Sequence, residues 1–344
     1  MSSRGVLDAA RRLCRAGWFE PALLSPLAGG RINDTIGVTD QAQRRFVLQR
    51  LSEAVFTDQS QLMAQVARVS AHLARTAPGW APELVPSRAG HASLEQGGAH
   101  WRMWRFVPGE SLQARAAAHL LPQRLEAAGH AFGRTQVLLE DVPGGPLRSA
   151  IPHHHDLRHH LARFDEIAPA VSDEWRRRID ELRTFAERFG QPDGPIHGDC
   201  KPDNLLFEAG SARVAAVLDL DTIMVANRAL DFGDLVRSSV WHWERYEHRY
   251  FERLARGFVG AQRDSRAPSP FEDLSAAPRY VSAMLALRYL VDHHSGNRVF
   301  KIERHGDNLV RAERQHRRTL RLEAAARQMN EALGSLLSAG ESAQ

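Results

Sequence analysis

The sequence predicts an α+β fold in which a small, β-rich N-terminal lobe is followed by a larger, mainly helical C-terminal lobe. Three observations lead to this prediction. The chain has 344 residues, more than a single hydrophobic core usually supports. Short strand-like runs separated by turns lie in residues 27–55 and 101–107. Apolar and aromatic residues recur at helical spacing over residues 235–261 and 278–294.

The composition is typical of a soluble globular protein, with 43% hydrophobic and 25% charged residues. No apolar run is long enough to span a bilayer, and the polar first residues lack the apolar core of a secretory signal. Two cysteines, Cys14 and Cys200, are too few for a disulfide framework. The 45 basic side chains are spread among 41 acidic ones, which does not indicate nucleic-acid binding. We therefore expect a cytoplasmic monomer or weak dimer without a membrane or nucleic-acid partner.

In the N-terminal lobe, residues 27–38 and 45–51 are predicted strands joined by a polar turn. Gly29 and Gly30, at the first bend, allow the backbone to approach an anion closely, so the amides around them could cover nucleotide phosphates. Alone, such a glycine pair is more often a plain turn. Residues 60–75 carry apolar side chains every three or four positions, which predicts an amphipathic helix.

The expected hinge between the lobes is Pro108-Gly109, which ends the last strand-like run of the N-terminal lobe. The lobes then comprise residues 1–107 and 108–344. A nucleotide pocket at such a junction would let an adenine ring hydrogen-bond to the exposed hinge backbone, for which Phe106 is the candidate position.

The most informative segment is a predicted hairpin in the C-terminal lobe. Residues 205–208 and 212–218 are apolar and strand-like, and Ala209-Gly210-Ser211 between them is a turn signal. Because the second run folds back on the first, the hairpin returns Asp219 towards Asn204.

The polar residues around this hairpin suit phosphoryl transfer, which needs a carboxylate to orient the acceptor hydroxyl and oxygen ligands for Mg²⁺. Asp199 is the candidate for the first role and takes the hydroxyl proton late in the reaction. Asn204 and Asp219 are the candidate Mg²⁺ ligands, completed by nucleotide phosphates and water. An ordinary hairpin also uses Asp, Asn and Gly in its turns. The joint spacing of these residues with His197 favours the phosphotransferase.

A second motif, Asp231-Phe232-Gly233, matches the metal-binding DFG of protein kinases but lies well beyond the hairpin. We interpret the match as coincidence. Asp231 is predicted to be a structural carboxylate that caps a helix through Leu235 and braces the loop containing Asp199.

Two groups of histidines, residues 153–155 and 159–160, could suggest a metal site. Zinc ligands usually have defined separations and cysteine or carboxylate partners, which this segment lacks. A solvated or hydrogen-bonded start of a helix is the favoured interpretation.

The hairpin resembles that of the aminoglycoside phosphotransferase and choline kinase superfamily, which implies a protein-kinase-like fold. Within it, the chain most resembles the N-acetylhexosamine 1-kinases, over residues 30–35, 47–51 with 55–56, 217–222, 288–292, 296–301 and 308–312. The resemblance implies transfer of the γ-phosphoryl group of ATP, with Mg²⁺, to the anomeric hydroxyl of N-acetylglucosamine or N-acetylgalactosamine. Asp199, Asn204 and Asp219 carry over by position. The nucleotide-binding candidates are Gly29, Gly30, Asn33, Gln49 and Phe106.

The chain departs from the superfamily in its N-terminal lobe. Gln49 stands where a basic, phosphate-binding residue is usual, and the N-terminal lobe contains no lysine. Residues 60–75, which would supply the glutamate partner of that lysine, contain no Asp or Glu. Both halves of the ion pair are missing together, so no buried carboxylate is left unpaired. Lys201 is a candidate to supply the missing charge, and a catalytically silent nucleotide-binding protein is the alternative.

The substrate is predicted to be a small neutral sugar. Asp34, Arg288, Asp292 and Arg311 are candidate sugar ligands because charged groups can hydrogen-bond to hydroxyls or an acetamido oxygen. Each of the last three could equally be a charge on a helix surface or part of an ion pair between helices. An aminoglycoside would need an acidic pocket, and the C-terminal lobe has no concentrated acidic run. The aromatic residues at 241–243 could form a wall for a sugar ring.

Overall fold

The computed structural model describes residues 3–27 and 32–341. The fold is kinase-like, with a β-sheet N-terminal region and a helical C-terminal region, as the sequence predicts. The chain divides into two compact units. The first runs to Pro108 and also includes Val142–Gly144, and the second comprises Gly109–Asp141 and the chain from Gly145 onwards.

The first unit is built on an antiparallel sheet with the strand order β1-β2-β3-β6-β4, in which β5 also pairs with β6. Two helices accompany it. The elements are α1 (Ser3–Gly17), β1 (Pro21–Pro26), β2 (Asp34–Asp40), β3 (Arg45–Arg50), α2 (Gln59–Thr76), β4 (Leu84–Val85), β5 (Leu94–Gln96) and β6 (Ala99–Arg105).

One face of this sheet packs against α1. The buried core consists of Ala9, Ala10, Leu13, Cys14, Trp18, Ile36, Val38, Phe46, Leu48, Trp101 and Met103. Because side chains alternate along a strand, Gln49 on β3 and Arg102 on β6 lie on the opposite face of the sheet.

The predicted helix and strands of the first unit are largely confirmed. The helix is α2, which begins where the Asp58 side chain accepts a 2.8 Å hydrogen bond from the Gln61 backbone N–H. Of the strand predicted over residues 27–38, the described part forms a strand only from Asp34 onwards, as β2. The sequence missed β1 because most of its residues are exposed, so it lacks the alternating apolar pattern of a half-buried strand.

The second unit is mainly helical, with three small antiparallel ladders, β7–β10, β8–β9 and β11–β12. Its helices are α3 (Leu121–Leu139), α4 (Leu157–Ile167), α5 (Asp173–Arg183), α6 (Ala186–Phe189), α7 (Ala229–Ser239), α8 (His248–Gln262), α9 (Phe271–His294), α10 (Asp307–Ala324) and α11 (Ala326–Glu341). Its strands are β7 (Gly194–Ile196), β8 (Leu205–Phe207), β9 (Val214–Val217), β10 (Met224–Ala226), β11 (Trp241–His242) and β12 (Arg245–Tyr246).

The helical pattern predicted over residues 235–261 is interrupted. α7 ends at Ser239, the ladder β11–β12 follows, and α8 begins at His248. The break occurs at a tight turn in which Trp243 and Glu244 both adopt left-handed backbone angles, with φ of +48° and +61°. Such a turn is usually signalled by Asn-Gly, and its absence hid the hairpin.

Helices α3 and α8 approach each other closely through glycines. A Cβ atom added to Gly257 would lie 1.9 Å from the carbonyl oxygen of Glu126, and one added to Gly129 would lie 2.1 Å from that of Leu254. Both positions therefore require glycine. Among the helices in the described residues, none is long and apolar enough to cross a membrane.

Candidate active site

The predicted hairpin is present as β8 and β9, joined by a turn in which Gly210 has a φ of +65°. Leu205 pairs with Val217, and the backbone N–H of Leu218 donates a 2.8 Å hydrogen bond to the carbonyl of Asn204. This register brings Asp219 beside Asn204, as the sequence predicts.

The loop that precedes the hairpin is tied to the residues that follow it through His197. The Nε2 atom of His197 lies 2.8 Å from the carbonyl oxygen of Leu218, so Nε2 carries the proton. The other ring nitrogen, Nδ1, accepts a 3.3 Å hydrogen bond from the backbone N–H of Asp199. Gly198 has a φ of +83°, and an added Cβ would lie 2.4 Å from the carbonyl oxygen of Thr222, so glycine is required there.

The carboxylate of Asp231 holds the loop of residues 197–199 in place through hydrogen bonds. Its carboxylate accepts hydrogen bonds from the backbone N–H groups of His197 at 2.8 Å and Gly198 at 2.9 Å, and from the side chain of Gln136 at 2.8 Å. The predicted bracing role is confirmed. The predicted capping role is wrong, because α7 already begins at Ala229 and the Asp231 side chain is directed to the loop.

Asp199 lies at the end of the braced loop with its carboxylate in contact with two donors. Lys201 Nζ forms an ion pair with Asp199 Oδ2, and Asn204 Nδ2 donates to the same oxygen at 2.9 Å. Burial would raise the pKa of Asp199, but the positive charge and hydrogen bond of Lys201 hold this pKa below its usual value. Asp199 is therefore ionised at neutral pH, which is the state that its predicted role as a proton acceptor requires.

Lys201 contacts the carboxylate of Asp199. Burial lowers its pKa, but the charge and hydrogen bond of Asp199, together with the charges of Asp219 and Asp234, raise this pKa above its usual value, so the ammonium stays charged. The sequence proposed that Lys201 stabilises a phosphate, and that role stays a prediction.

The two candidate metal ligands, Asn204 and Asp219, differ in their hydrogen bonds and in their electrostatic surroundings. Asn204 uses its amide nitrogen to donate to both the carbonyl and the carboxylate of Asp199, which leaves its side-chain oxygen available. Burial, together with the negative charges of Asp221 and Asp199, raises the pKa of Asp219 to about 6. A divalent cation would relieve this repulsion.

This donor set fits Mg²⁺, a hard cation that prefers oxygen ligands and is completed by phosphates and water. Within residues 3–27 and 32–341, no group of three or more His, Cys, Asp or Glu side chains could hold a metal by itself. The predicted site thus depends on the nucleotide for its remaining ligands.

The histidines at 153–155 lie at the start of α4, which agrees with the interpretation favoured from the sequence. Asp156 caps this helix, accepting a 3.0 Å hydrogen bond from the His159 backbone N–H. The sequence did not predict that two of these histidines contact the loop before Asp199. The Nε2 atoms of His154 and His155 each lie 3.0 Å from the carbonyl oxygen of Gly198. Burial lowers the pKa of both imidazoles, so both are neutral N–H donors that position the residue before Asp199.

The nucleotide-binding candidates lie in the first unit. Gly29 and Gly30 are outside the described residues. Asn33 is buried, and its Oδ1 accepts a 3.1 Å hydrogen bond from the Ser52 backbone N–H. The backbone N–H of Phe106 donates to the carbonyl of Arg45 at 3.2 Å, so it is not free for an adenine ring.

Gln49 faces a network that the sequence did not predict. Its Oε1 accepts hydrogen bonds from Arg102 Nε at 3.0 Å, Arg102 Nη2 at 2.9 Å and Trp104 Nε1 at 2.9 Å. The sequence signal was the missing lysine on β3, and the cation that contacts Gln49, Arg102, lies on a different strand.

Two of the four substrate candidates support the fold of the second unit instead. The Asp292 carboxylate accepts hydrogen bonds from the backbone of residues 298–300 at 2.8–3.0 Å and from the Asn308 side chain at 2.9 Å. Arg311 donates at 2.9 Å to the carbonyl of Lys301 and to Asn308 Oδ1. These contacts hold the loop between α9 and α10, and a role of either residue as a sugar ligand stays a prediction.

The other two candidates differ in their surroundings. Asp34, on the first unit, is half-exposed and lies 3.6 Å from the guanidinium of Arg50. Arg288, on α9, lies with its guanidinium 5.5 Å from the ring centroid of Phe300 and interacts electrostatically with Asp199 and Asp234. Tyr289 and Trp241 are half-buried.

A kinase-like fold with this braced loop, its carboxylate and its two oxygen ligands defines a phosphotransferase. The model of the family described as "Phosphotransferase enzyme family" matches residues 24–268. The chain therefore belongs to this family.

Solved structures of similar fold include the amicoumacin kinase hAmiN in complex with AMP-PNP and Ca²⁺, which is 15% identical over 94% of each chain with a TM-score of 0.62. The spectinomycin phosphotransferase APH(9)-Ia, in complex with ADP and spectinomycin, is 11% identical over 93% of this chain and 98% of that chain, with a TM-score of 0.60. An ethanolamine kinase of Plasmodium vivax is 12% identical over 87% of this chain and 82% of that chain, with a TM-score of 0.57.

Proposed function

We propose that this chain is an ATP- and Mg²⁺-dependent kinase that phosphorylates the anomeric hydroxyl of an N-acetylhexosamine and releases the sugar 1-phosphate. Family membership and the geometry around Asp199 support phosphoryl transfer to a hydroxyl. The choice of acceptor rests on the sequence resemblance and on one structural observation, the state of Arg288.

Arg288 is a half-buried cation near the catalytic carboxylate. Burial lowers its pKa, which reflects an environment unfavourable to charge. Among the residues that the structure describes, it forms no ion pair with a carboxylate, whereas its neighbour Arg237 is paired with Asp234. Its guanidinium donors are therefore available to an acceptor oxygen.

An available arginine next to Asp199 favours a neutral acceptor over a polycationic one. A guanidinium would repel the ammonium groups of an aminoglycoside, whereas it could donate two hydrogen bonds to hydroxyls or to an acetamido oxygen. An N-acetylhexosamine supplies both kinds of oxygen. An aminoglycoside would instead need a carboxylate in place of Arg288.

The chemistry follows from the residues of the second unit. Asp199 orients the anomeric hydroxyl, whose oxygen forms a bond to the γ-phosphorus while the bond to the β–γ bridging oxygen breaks and ADP leaves. The hydroxyl proton passes to Asp199. Mg²⁺, held by Asn204 and Asp219 with the nucleotide, would neutralise charge on the phosphates. His154, His155 and Asp231 keep the loop in place.

The test is ADP release with Mg²⁺ and ATP across N-acetylglucosamine, N-acetylgalactosamine, N-acetylmuramic acid, choline and kanamycin. Asp199→Asn serves as the blank. Turnover on an N-acetylhexosamine that is lost in the variant would support the proposal. Turnover on kanamycin alone would move the chain to the antibiotic kinases, and no turnover on any acceptor would favour a silent nucleotide-binding protein.

A further inference from the structure

The side chain of Gln49 has one orientation available to it. All three groups around its Oε1 are N–H groups of Arg102 and Trp104, which donate and cannot accept hydrogen bonds. Only the amide oxygen can face them. The amide NH₂ group of Gln49 is therefore directed away from Arg102.

The three donors also change the character of the amide. Two of them belong to the charged guanidinium of Arg102, and hydrogen bonds from charged groups are the stronger ones. Chains of hydrogen bonds polarise one another, so donation to the oxygen makes the NH₂ group a better donor. Arg102 itself is only 1% exposed, with Nη1 4.0 Å from the Met63 sulfur, whereas Gln49 is half-buried.

We propose that the Gln49 NH₂ group donates to a phosphate oxygen of ATP, and that Arg102 is the positioning residue that fixes and polarises this donor. The inference rests on the proposed function, since it assumes a nucleotide substrate. Arg102 and Gln49 are paired across β6 and β3, so the positive charge missing from β3 is supplied one strand away. The pair then replaces a β3 lysine without needing a glutamate on α2.

The experiment measures binding of Mg²⁺–AMP-PNP by calorimetry, without acceptor, to the full chain and to Gln49→Glu. The variant keeps the shape of the side chain and an oxygen for Arg102 and Trp104, but it replaces the NH₂ donor by a negative oxygen. We expect binding at least about tenfold weaker. Gln41→Glu is the matched control, because it adds the same charge on the exposed turn between β2 and β3, and we expect unchanged binding.

Arg102 is tested by Arg102→Met and Arg102→Lys. If Gln49 acts through Arg102, Arg102→Met weakens nucleotide binding as much as Gln49→Glu does, Arg102→Lys restores part of it, and the KM for the acceptor stays unchanged in both. If Arg102 only stabilised the fold, Arg102→Met would lower the thermal stability and would change the KM for ATP and the KM for the acceptor together.

Two outcomes would overturn the inference and leave the proposed function intact. One is wild-type nucleotide affinity in a folded Gln49→Glu variant of an enzyme that turns over. The other is an equal loss in Gln41→Glu. If Arg102→Met does not fold, the nucleotide affinity of Gln49→Glu alone tests the inference. A wild-type chain that binds no nucleotide would instead reject the inference and the proposed function together.

Discussion

The carboxylate of Asp231 accepts a 2.8 Å hydrogen bond from the backbone N–H of His197, at a separation of 34 residues in the sequence. Through this bond and its partner on Gly198, helix α7 fixes the loop whose last turn presents Asp199. The loop is thus held by a buried charge that has no contact with the substrate in the proposed reaction.

We predict that Asp231→Asn lowers turnover by about 10- to 100-fold, because an amide NH₂ group would face a backbone N–H donor and the loop would shift. The free energy of unfolding should fall by about 1.5–3 kcal/mol. Steady-state kinetics and thermal unfolding measure the two effects. Asp264→Asn, in an exposed ion pair with Arg134, is the control and should change neither quantity. Wild-type turnover in Asp231→Asn would show that the loop holds its shape without this brace.

The sequence predicted the β8–β9 hairpin well because its signals are local. Asn204, the turn at Gly210 and Asp219 lie within one short segment, so spacing alone places them together. Helix α2 was predicted for the same reason, because its apolar periodicity and its N-terminal cap, Asp58, lie in one short segment of the sequence.

The missed contacts join residues that are distant in the sequence. Gln49 and Arg102 are 53 residues apart, and His154 is 44 residues from Gly198. Nothing in the spacing of a single sequence encodes such pairs, because they depend on strand order and helix packing. The part that Asp292 plays in closing a loop was missed for a related reason: a carboxylate that closes a loop and one that binds a sugar look alike until its hydrogen-bond partners are known.

We predict that Arg288→Met raises the KM for the acceptor by about 10- to 100-fold and leaves the KM for ATP nearly unchanged, because the lost hydrogen bonds are made only to the acceptor. Arg288→Lys should recover part of the loss, since a lysine keeps the charge but not the planar pair of donors. Arg298→Met, at an exposed position of the neighbouring loop, is the matched control. An equal rise in both KM values would count against an acceptor role for Arg288.

The buried histidines predict a loss of stability in acid. The pKa of His160 is lowered to about 3, first by burial and then by the positive charge of Arg288, from an ordinary value of 6.5. As the pH falls below 6.5, the unfolded chain takes up a proton that the folded chain refuses until about pH 3, so the free energy of unfolding decreases across this interval. The loss from this residue should be on the order of 2 kcal/mol at about pH 5.

Urea unfolding near neutral pH and at about pH 5 measures this loss. His160→Gln, which does not titrate, should lose less stability over the same interval than the wild-type chain. Equal losses in the two proteins would assign the acid sensitivity to other groups, such as His154 and His155.

We predict opposite effects of the same substitution at two glycines of α8. Gly257→Ala should lower the free energy of unfolding by about 1–3 kcal/mol or more, because its Cβ would lie 1.9 Å from the Glu126 carbonyl oxygen and force α3 and α8 apart. Gly260→Ala should raise that free energy by up to about 1 kcal/mol, because nothing lies within 4 Å of its added Cβ and alanine is the better helix former. Chemical unfolding of both variants measures the difference. If Gly257→Ala were as stable as Gly260→Ala, the close backbone contact between the two helices would be absent in solution.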